Sequence, residues 1–170
     1  MKLRNVLAIC SVAGLLLSGC AADEDSLLVY SGRSESLIGP LVQQFEEESG
    51  IAVEVRYAGS AELAAQLLEE GVNSPADVFL AQDAGALGAA SKAGLLEILP
   101  EGLYGLVPEE YSAADRTWVG VSGRARVLVY DPSKVTRLPE SIFDLDDPSW
   151  RGRIGIAPTN ASFQACVTAM

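Results

Sequence analysis

Apolar residues run unbroken from Leu27 to Tyr30, then recur as Leu37, Ile38, Leu41, Val42 and Phe45 with Gln43, Gln44, Glu46 and Glu47 between them. The first pattern is that of a strand buried on both faces, the second that of one apolar stripe on a helix. Pro40 is tolerated best near a first turn, which predicts a helix start between residues 36 and 39. Ile51, Val53, Val55 and Tyr57 then alternate with Ala52, Glu54 and Arg56, a strand with one more polar face. The unit repeats: a helix carrying Leu63, Leu67 and Leu68, a strand over 77–81, a turn at Gln82 and Asp83, and a helix over 84–93. Gly50, Gly71 and Gly94 stand where a left-handed residue would close each helix. Alternating β and α elements with short links predict a parallel sheet with right-handed crossovers.

After Leu95 the rhythm changes. Pro100, Gly102, Gly105 and Pro108 break up a loop-rich stretch. Two strand-like runs follow, 118–122 and 126–130, and then a strong turn at Asp131 and Pro132. A short helical stretch near 142–145, a strand candidate at 153–157 and a helix beginning before Met170 complete the chain. Only one good strand and one unfinished helix follow Asp131, so the pattern reads as the front part of a longer protein. The alternative is one compact domain with a frayed terminus at 167–170.

Before residue 27 the pattern has another purpose. Lys2 and Arg4 precede an apolar run over 6–17, shorter than the roughly 20 residues that span a bilayer, and Ser18-Gly19-Cys20 closes it. This order of basic, apolar and small residues is that of a cleaved export signal. It resembles the lipobox of bacterial lipoproteins, in which Cys20 would become the lipidated first residue. An ordinary secretory signal with an incidental cysteine is the other reading. Residues 1–19 are accordingly read as signal and 20–26, which are small, polar and acidic, as a tether.

Charge and cysteine usage narrow the chemistry. The chain carries 12 basic and 23 acidic residues, a net charge of −11; losing Lys2 and Arg4 with the signal moves it to −13. A basic nucleic-acid-binding surface is thereby disfavoured. With Cys10 removed and Cys20 lipidated, Cys166 is left alone, in an apolar run that suggests a small buried residue rather than a nucleophile. The chain has no histidine, which removes the commonest general base and metal ligand. Neither a Walker A sequence, nor a Rossmann fingerprint, nor a GxSxG elbow occurs.

In an open parallel sheet, ligands bind beyond the carboxyl ends of the strands. The loops there are 31–34, 58–60, 82–83 and 158–162, rich in glycine and hydroxyl residues. Exposed N–H groups and helix N-termini suit such loops to anions, with Arg33 and Arg124 as further donors. The plainer alternative is that Ser60, Asp83 and Asn160 are N-caps and that both arginines pair with surface carboxylates.

Several segments together resemble the ferric-iron-binding proteins of bacterial ABC importers, in the type II periplasmic solute-binding group. They are Val29-Tyr30-Ser31-Gly32; Glu48-Ser49-Gly50-Ile51; Ser74-Pro75-Ala76-Asp77-Val78-Phe79; Ser122-Gly123-Arg124-Ala125-Arg126-Val127 with Val129-Tyr130; and Trp150-Arg151-Gly152-Arg153-Ile154-Gly155 leading into Pro158-Thr159. The resemblance implies an α/β fold of two lobes about a cleft: a first lobe over 27–123, a hinge crossing strand at 124–131 and an incomplete second lobe over 132–170. It also implies a binding protein, not an enzyme, that takes Fe(III) with a synergistic anion (carbonate, phosphate or an organic acid) to a membrane permease; the lipobox adds the expectation of a lipid anchor at Cys20, and a monomer is expected.

Carried over by position, Asn160, Ala161 and Ser162 fall on the anion loop and Arg124 on an arginine used by some members. Ser34 and Gln82 stand where some members have histidine and glutamate as iron ligands. Neither is a strong ligand for a hard cation, so the metal ligands are left open, with the family's paired tyrosines expected beyond residue 170. Arg33, Ser34, Gln82, Arg124, Asn160, Ala161 and Ser162 are thus the candidate ligand-binding residues. Capture of another solute, an organic anion or a polyamine, and an extracellular sensor domain are the competing functions. A hydrolase built on Cys166 is the least favoured.

Overall fold

The computed structural model describes residues 26–170. The sequence signals before that, Cys20 among them, lie outside the described residues.

Strand β1 (Leu27–Ser31) is central in a three-stranded parallel sheet, flanked by β2 (Val53–Tyr57) and β3 (Val78–Leu80) in the order β2-β1-β3. Val29 is in register with Val55 on one side and Val78 on the other, so the apolar run sits where both neighbours cover it. Asp77 fixes the start of β3: its N–H donates to the Leu28 carbonyl at 2.9 Å and its carboxylate accepts from the Leu28 N–H at 2.8 Å. Helices α1 (Glu35–Ser49), α2 (Ser60–Glu70) and α3 (Ala84–Lys92) follow the strands in turn. The α/β alternation over residues 27–92 is as the periodicity predicts. Gly50 closes α1 in the left-handed conformation and Gly94 has positive φ, but Gly71, with φ 57° and ψ −137°, is not left-handed and instead leads α2 into a 3-10 turn at Gly71–Asn73.

The core lies between the sheet and α2. Tyr30, Leu63 and Leu67 are buried together, with Leu28, Ala58, Ala76, Phe79 and Leu95 packed around them. Helix α3, with Ala86 and Ala90 buried, packs against α2. Helix α1 is set differently from expectation. It begins at Glu35, so Pro40 lies in the second turn; the carbonyl of Ser36 loses its helical partner there, at a position open to water. Its inward row is Ile38, Val42 and Glu46, the last accepting from the Val53 N–H at 2.8 Å. Leu37, Leu41 and Phe45 are exposed.

Beyond Lys92 the segments become short: α4 (Glu101–Tyr104), single 3-10 turns at Glu109–Tyr111, Ile142–Asp146 and Pro148–Trp150, and α5 (Ala161–Thr168). The strands expected at 118–122, 126–130 and 153–157 do not form. Residues 112 and 119 make an isolated antiparallel bridge, and 126–130 pairs with no strand among the described residues. A strand needs a neighbour for its N–H and C=O groups. Val127 and Val129 are accordingly exposed, at 72% and 92%. Cys166, expected to be buried, is half-buried and free. Among the described residues no helix is long and apolar enough to cross a membrane.

Candidate functional site

The carboxyl ends of the three strands converge, and hydrogen bonds join their loops into one rim. Ser31, fully buried, shapes the loop after β1: its hydroxyl donates to the Arg33 carbonyl at 2.9 Å and accepts from the Arg33 N–H at 3.1 Å. The Gly32 N–H donates to the Leu80 carbonyl at 2.7 Å. Ser60, expected as an N-cap, is instead the first residue of α2 and is buried; its Oγ accepts from the Gln82 N–H at 2.9 Å. Gln82 in turn donates Nε2–H to the Gly32 carbonyl. Three loops from separate stretches of sequence therefore meet at Gln82.

Two arginines border this rim. Arg124 donates through Nη2 to the backbone carbonyl of Gln82 at 3.4 Å and to its Oε1 at 3.3 Å. Arg33 donates through Nη2 to the Ser122 hydroxyl at 3.1 Å. Both lean on neutral acceptors: the ion pair seen among the described residues is Lys134 with Asp131, at 3.2 Å. The plainer alternative, that these arginines pair with surface carboxylates, does not hold among the described residues. Like the other arginines among the described residues, Arg33 and Arg124 make no ion pair there, and each keeps N–H donors to spare. Ser34, the N-cap position of α1, makes no capping bond; its hydroxyl lies 3.1 Å from that of Ser36.

A second group forms at the start of α5. Asn160 caps the helix, its Oδ1 accepting from the Phe163 N–H at 2.9 Å and from the Ser162 hydroxyl at 2.7 Å. The Ser162 Oγ also accepts from Arg126 Nη2 at 2.6 Å. Ala161 is the first residue of that helix and is half-buried. The structure thus brings Arg33, Gln82 and Arg124 to one rim, with Ser34 on the same loop as Arg33, and joins Asn160 and Ser162 to Arg126. Sequence reasoning passed over Arg126 and Ser122. In an extended run, residues 124 and 126 share a side, and that spacing is the signal that could have found Arg126.

Tyr30 lies outside this rim. Its hydroxyl donates to Glu70 Oε1 at 2.9 Å and accepts from Arg56 Nη1 at 2.8 Å and Gln66 Nε2 at 3.0 Å. Burial first, then the bond to Glu70, raises its pKa, against the pull of Arg56. A phenol so held stays protonated and is spoken for, so it is unsuited to bind a cation as phenolate. Among the described residues no cluster of three or more His, Cys, Asp or Glu side chains is placed to hold a metal ion.

The rim lies beyond the carboxyl ends of the strands, where open α/β sheets place their ligand sites. A family model described as bacterial extracellular solute-binding protein matches residues 27–165, and the chain belongs to that family. It is 36% identical over 152 residues to the Fe(3+)-binding periplasmic protein of Serratia marcescens, an alignment covering 88% of this chain and 45% of that one. It is 38% identical over 151 residues to the major ferric iron-binding protein of Neisseria meningitidis, covering 85% and 45%.

Among solved structures, iron-bound HitA from Pseudomonas aeruginosa superposes with a TM-score of 0.78 at 38% identity, covering 81% of this chain and 46% of that one. The Trichodesmium protein IdiA (FutA), in complex with iron and citrate, gives a TM-score of 0.63 at 31% identity, covering 74% and 40%. The α/β, type II periplasmic-binding-protein-like class expected from the sequence holds. The chain spans about 45% of the length of these curated relatives.

Proposed function

We propose that this chain is part of an exported solute-binding component of an ABC importer that captures ferric iron together with a synergistic anion and passes it to a membrane permease. The supporting observation is the pair of guanidiniums, Arg33 and Arg124, set on neutral acceptors at the edge of the sheet. Unpaired charges of this kind suit an anion, whether free or already bound to a metal. The iron named in the relatives' descriptions supplies the metal. The candidate residues at the rim, Arg33, Ser34, Gln82 and Arg124, offer guanidiniums, a hydroxyl and an amide rather than anionic oxygens, so the proposal gives this part the anion and leaves the metal ligands to tyrosines beyond residue 170. The Asn160–Ser162 loop at the α5 N-terminus is the second anion contact, the hinge crossing is assigned to 124–131, and Cys20 is the lipid anchor. Release of a product plays no part: the role is binding and delivery, not catalysis.

Titration with ferric citrate, followed through the visible phenolate-to-iron band, tests this. The protein that carries this chain together with the sequence after residue 170 should take one iron per chain and develop the band only when an anion is present. Residues 20–170 alone should show neither. Saturable binding of an organic anion or a polyamine, with no uptake of iron, would replace the iron reading with one for another solute.

A further inference from the structure

Gln82 occupies a position that calls for a side chain able to donate on one side and accept on the other, and its neutral amide does both. On one side lies the carbonyl of Gly32, which can only accept; on the other lies the guanidinium of Arg124, which can only donate. The amide orientation follows from that chemistry: Nε2 must face Gly32 and Oε1 must face Arg124. The Gln82 main chain is fixed too, by its N–H on the buried Ser60 hydroxyl and by its carbonyl, which accepts from the same Arg124 Nη2. Arg124 itself lies on a segment that pairs with no strand among the described residues and whose residues are exposed, so the polar contacts with Gln82 are what aim its guanidinium at the rim. Both are long, at 3.3 and 3.4 Å. They steer the group and leave its remaining N–H donors open.

We infer that Gln82 is a positioning residue for anion capture: its amide holds Arg124 in place while leaving the arginine's charge unspent. This rests on the anion-dependent capture proposed above and adds what keeps the arginine available. A carboxylate at the same position would do the opposite. It would set an acceptor against the Gly32 carbonyl and form a charge-assisted pair with Arg124, cancelling the charge an anion needs. Glutamate is nearly isosteric with glutamine, so a purely packing role and an electrostatic role predict opposite orders of damage.

The experiment is calorimetric titration of citrate, in metal-free buffer, into the mature protein that carries this chain. Gln82→Ala should weaken citrate by about three- to tenfold, the range expected for loss of one or two steering hydrogen bonds. Gln82→Glu should weaken it more than Gln82→Ala does. In an Arg124→Ala background, Gln82→Ala should cost nothing further, because the two act as a unit. Thermal midpoints are followed in parallel; if Gln82→Ala fails to fold, Gln82→Met fills the same volume without either polar group and takes its place. Two results overturn the assignment while leaving the anion reading intact: a Gln82→Glu protein that binds citrate at least as well as Gln82→Ala, or additive losses in the double variant, each with Arg124→Ala still impaired. If Arg124→Ala binds citrate like the unaltered protein, the anion reading at this rim falls and the role of Gln82 falls with it.

Discussion

The Oγ of Ser60 lies 2.1 Å from the point a Cβ on Gly32 would occupy, and the carbonyl oxygen of Leu80 lies 3.3 Å from it. The loops after β1 and β2 can therefore close on each other only because residue 32 has no side chain. That closure lets Ser60 hold the Gln82 N–H and puts the Gly32 carbonyl within reach of the Gln82 amide.

Gly32→Ala is expected to destabilise the fold by about 1–3 kcal/mol, the usual cost of overpacking a tight site. Ser60→Gly in the same chain should recover part of the loss, because it removes the nearest obstructing atom. Urea unfolding of the single and double variants measures both. Strictly additive losses would mean that the two residues do not share the contact.

Tyr30 and Glu70 make stability depend on pH at both ends of the scale. The pKa of Tyr30 is raised, so its contribution is complete below the ordinary phenol value of about 10 and is lost as pH climbs through the higher folded value. The pKa of Glu70 is lowered, first by the Ser74 hydroxyl and then by Gln66, so its contribution is present above the ordinary carboxylate range and lost as pH falls through the folded value. Tyr30→Phe should flatten the alkaline limb of a stability profile and Glu70→Gln the acid limb. Tyr57 and Tyr104 are also raised by burial, so part of the alkaline slope should survive in Tyr30→Phe. An alkaline limb identical to that of the unaltered chain would mean that the Tyr30 phenol is not held in its protonated form.

The elements over residues 27–92 were readable because their signals are local. A continuous apolar run, a stripe at helical spacing and a glycine stop each fix an element without reference to distant residues. The runs at 126–130 and 153–157 carry equally clear apolar character, yet a strand is defined by its partner, and no residue in those runs names one. The same limit applied to the site. Arg33 and Arg124 could be singled out by type, and Gln82 by what it replaces. That the Gln82 amide bridges a carbonyl and a guanidinium depends on how three loops pack, which no spacing encodes. Asn160 and Asp83 did prove to be caps, since capping is decided within three residues.

Anchoring gives a prediction independent of the site. If Cys20 carries the lipid, Cys20→Ala should abolish acylation and move the protein from the membrane fraction to the soluble one, because a surface with a net charge near −13 has little attraction for anionic lipid. Fractionation in high salt, with labelled fatty acid, separates the cases. Membrane retention of the Cys20→Ala protein after a salt wash would show that something other than this lipid holds it.

The arginines divide the anion contacts in a way that can be measured. Arg124 is steered by Gln82 with donors to spare, so Arg124→Ala should weaken iron retention in the protein carrying this chain by about tenfold or more, the loss of one charge-assisted contact of roughly 1.5–3 kcal/mol. Arg33→Ala should cost less, since its guanidinium donates to the Ser122 hydroxyl and takes no part in the Gln82 bridge. Arg126 belongs to the other group: it donates to Ser162, which in turn donates to the Asn160 cap. Arg126→Ala should loosen the start of α5, seen as faster amide exchange over 161–164, and lower affinity through that loop rather than through the rim. Competition with a ferric chelator at several citrate concentrations distinguishes the three variants. Should Arg33→Ala abolish the dependence on citrate while Arg124→Ala preserves it, the anion sits on the loop after β1, and the roles given to the two arginines are reversed.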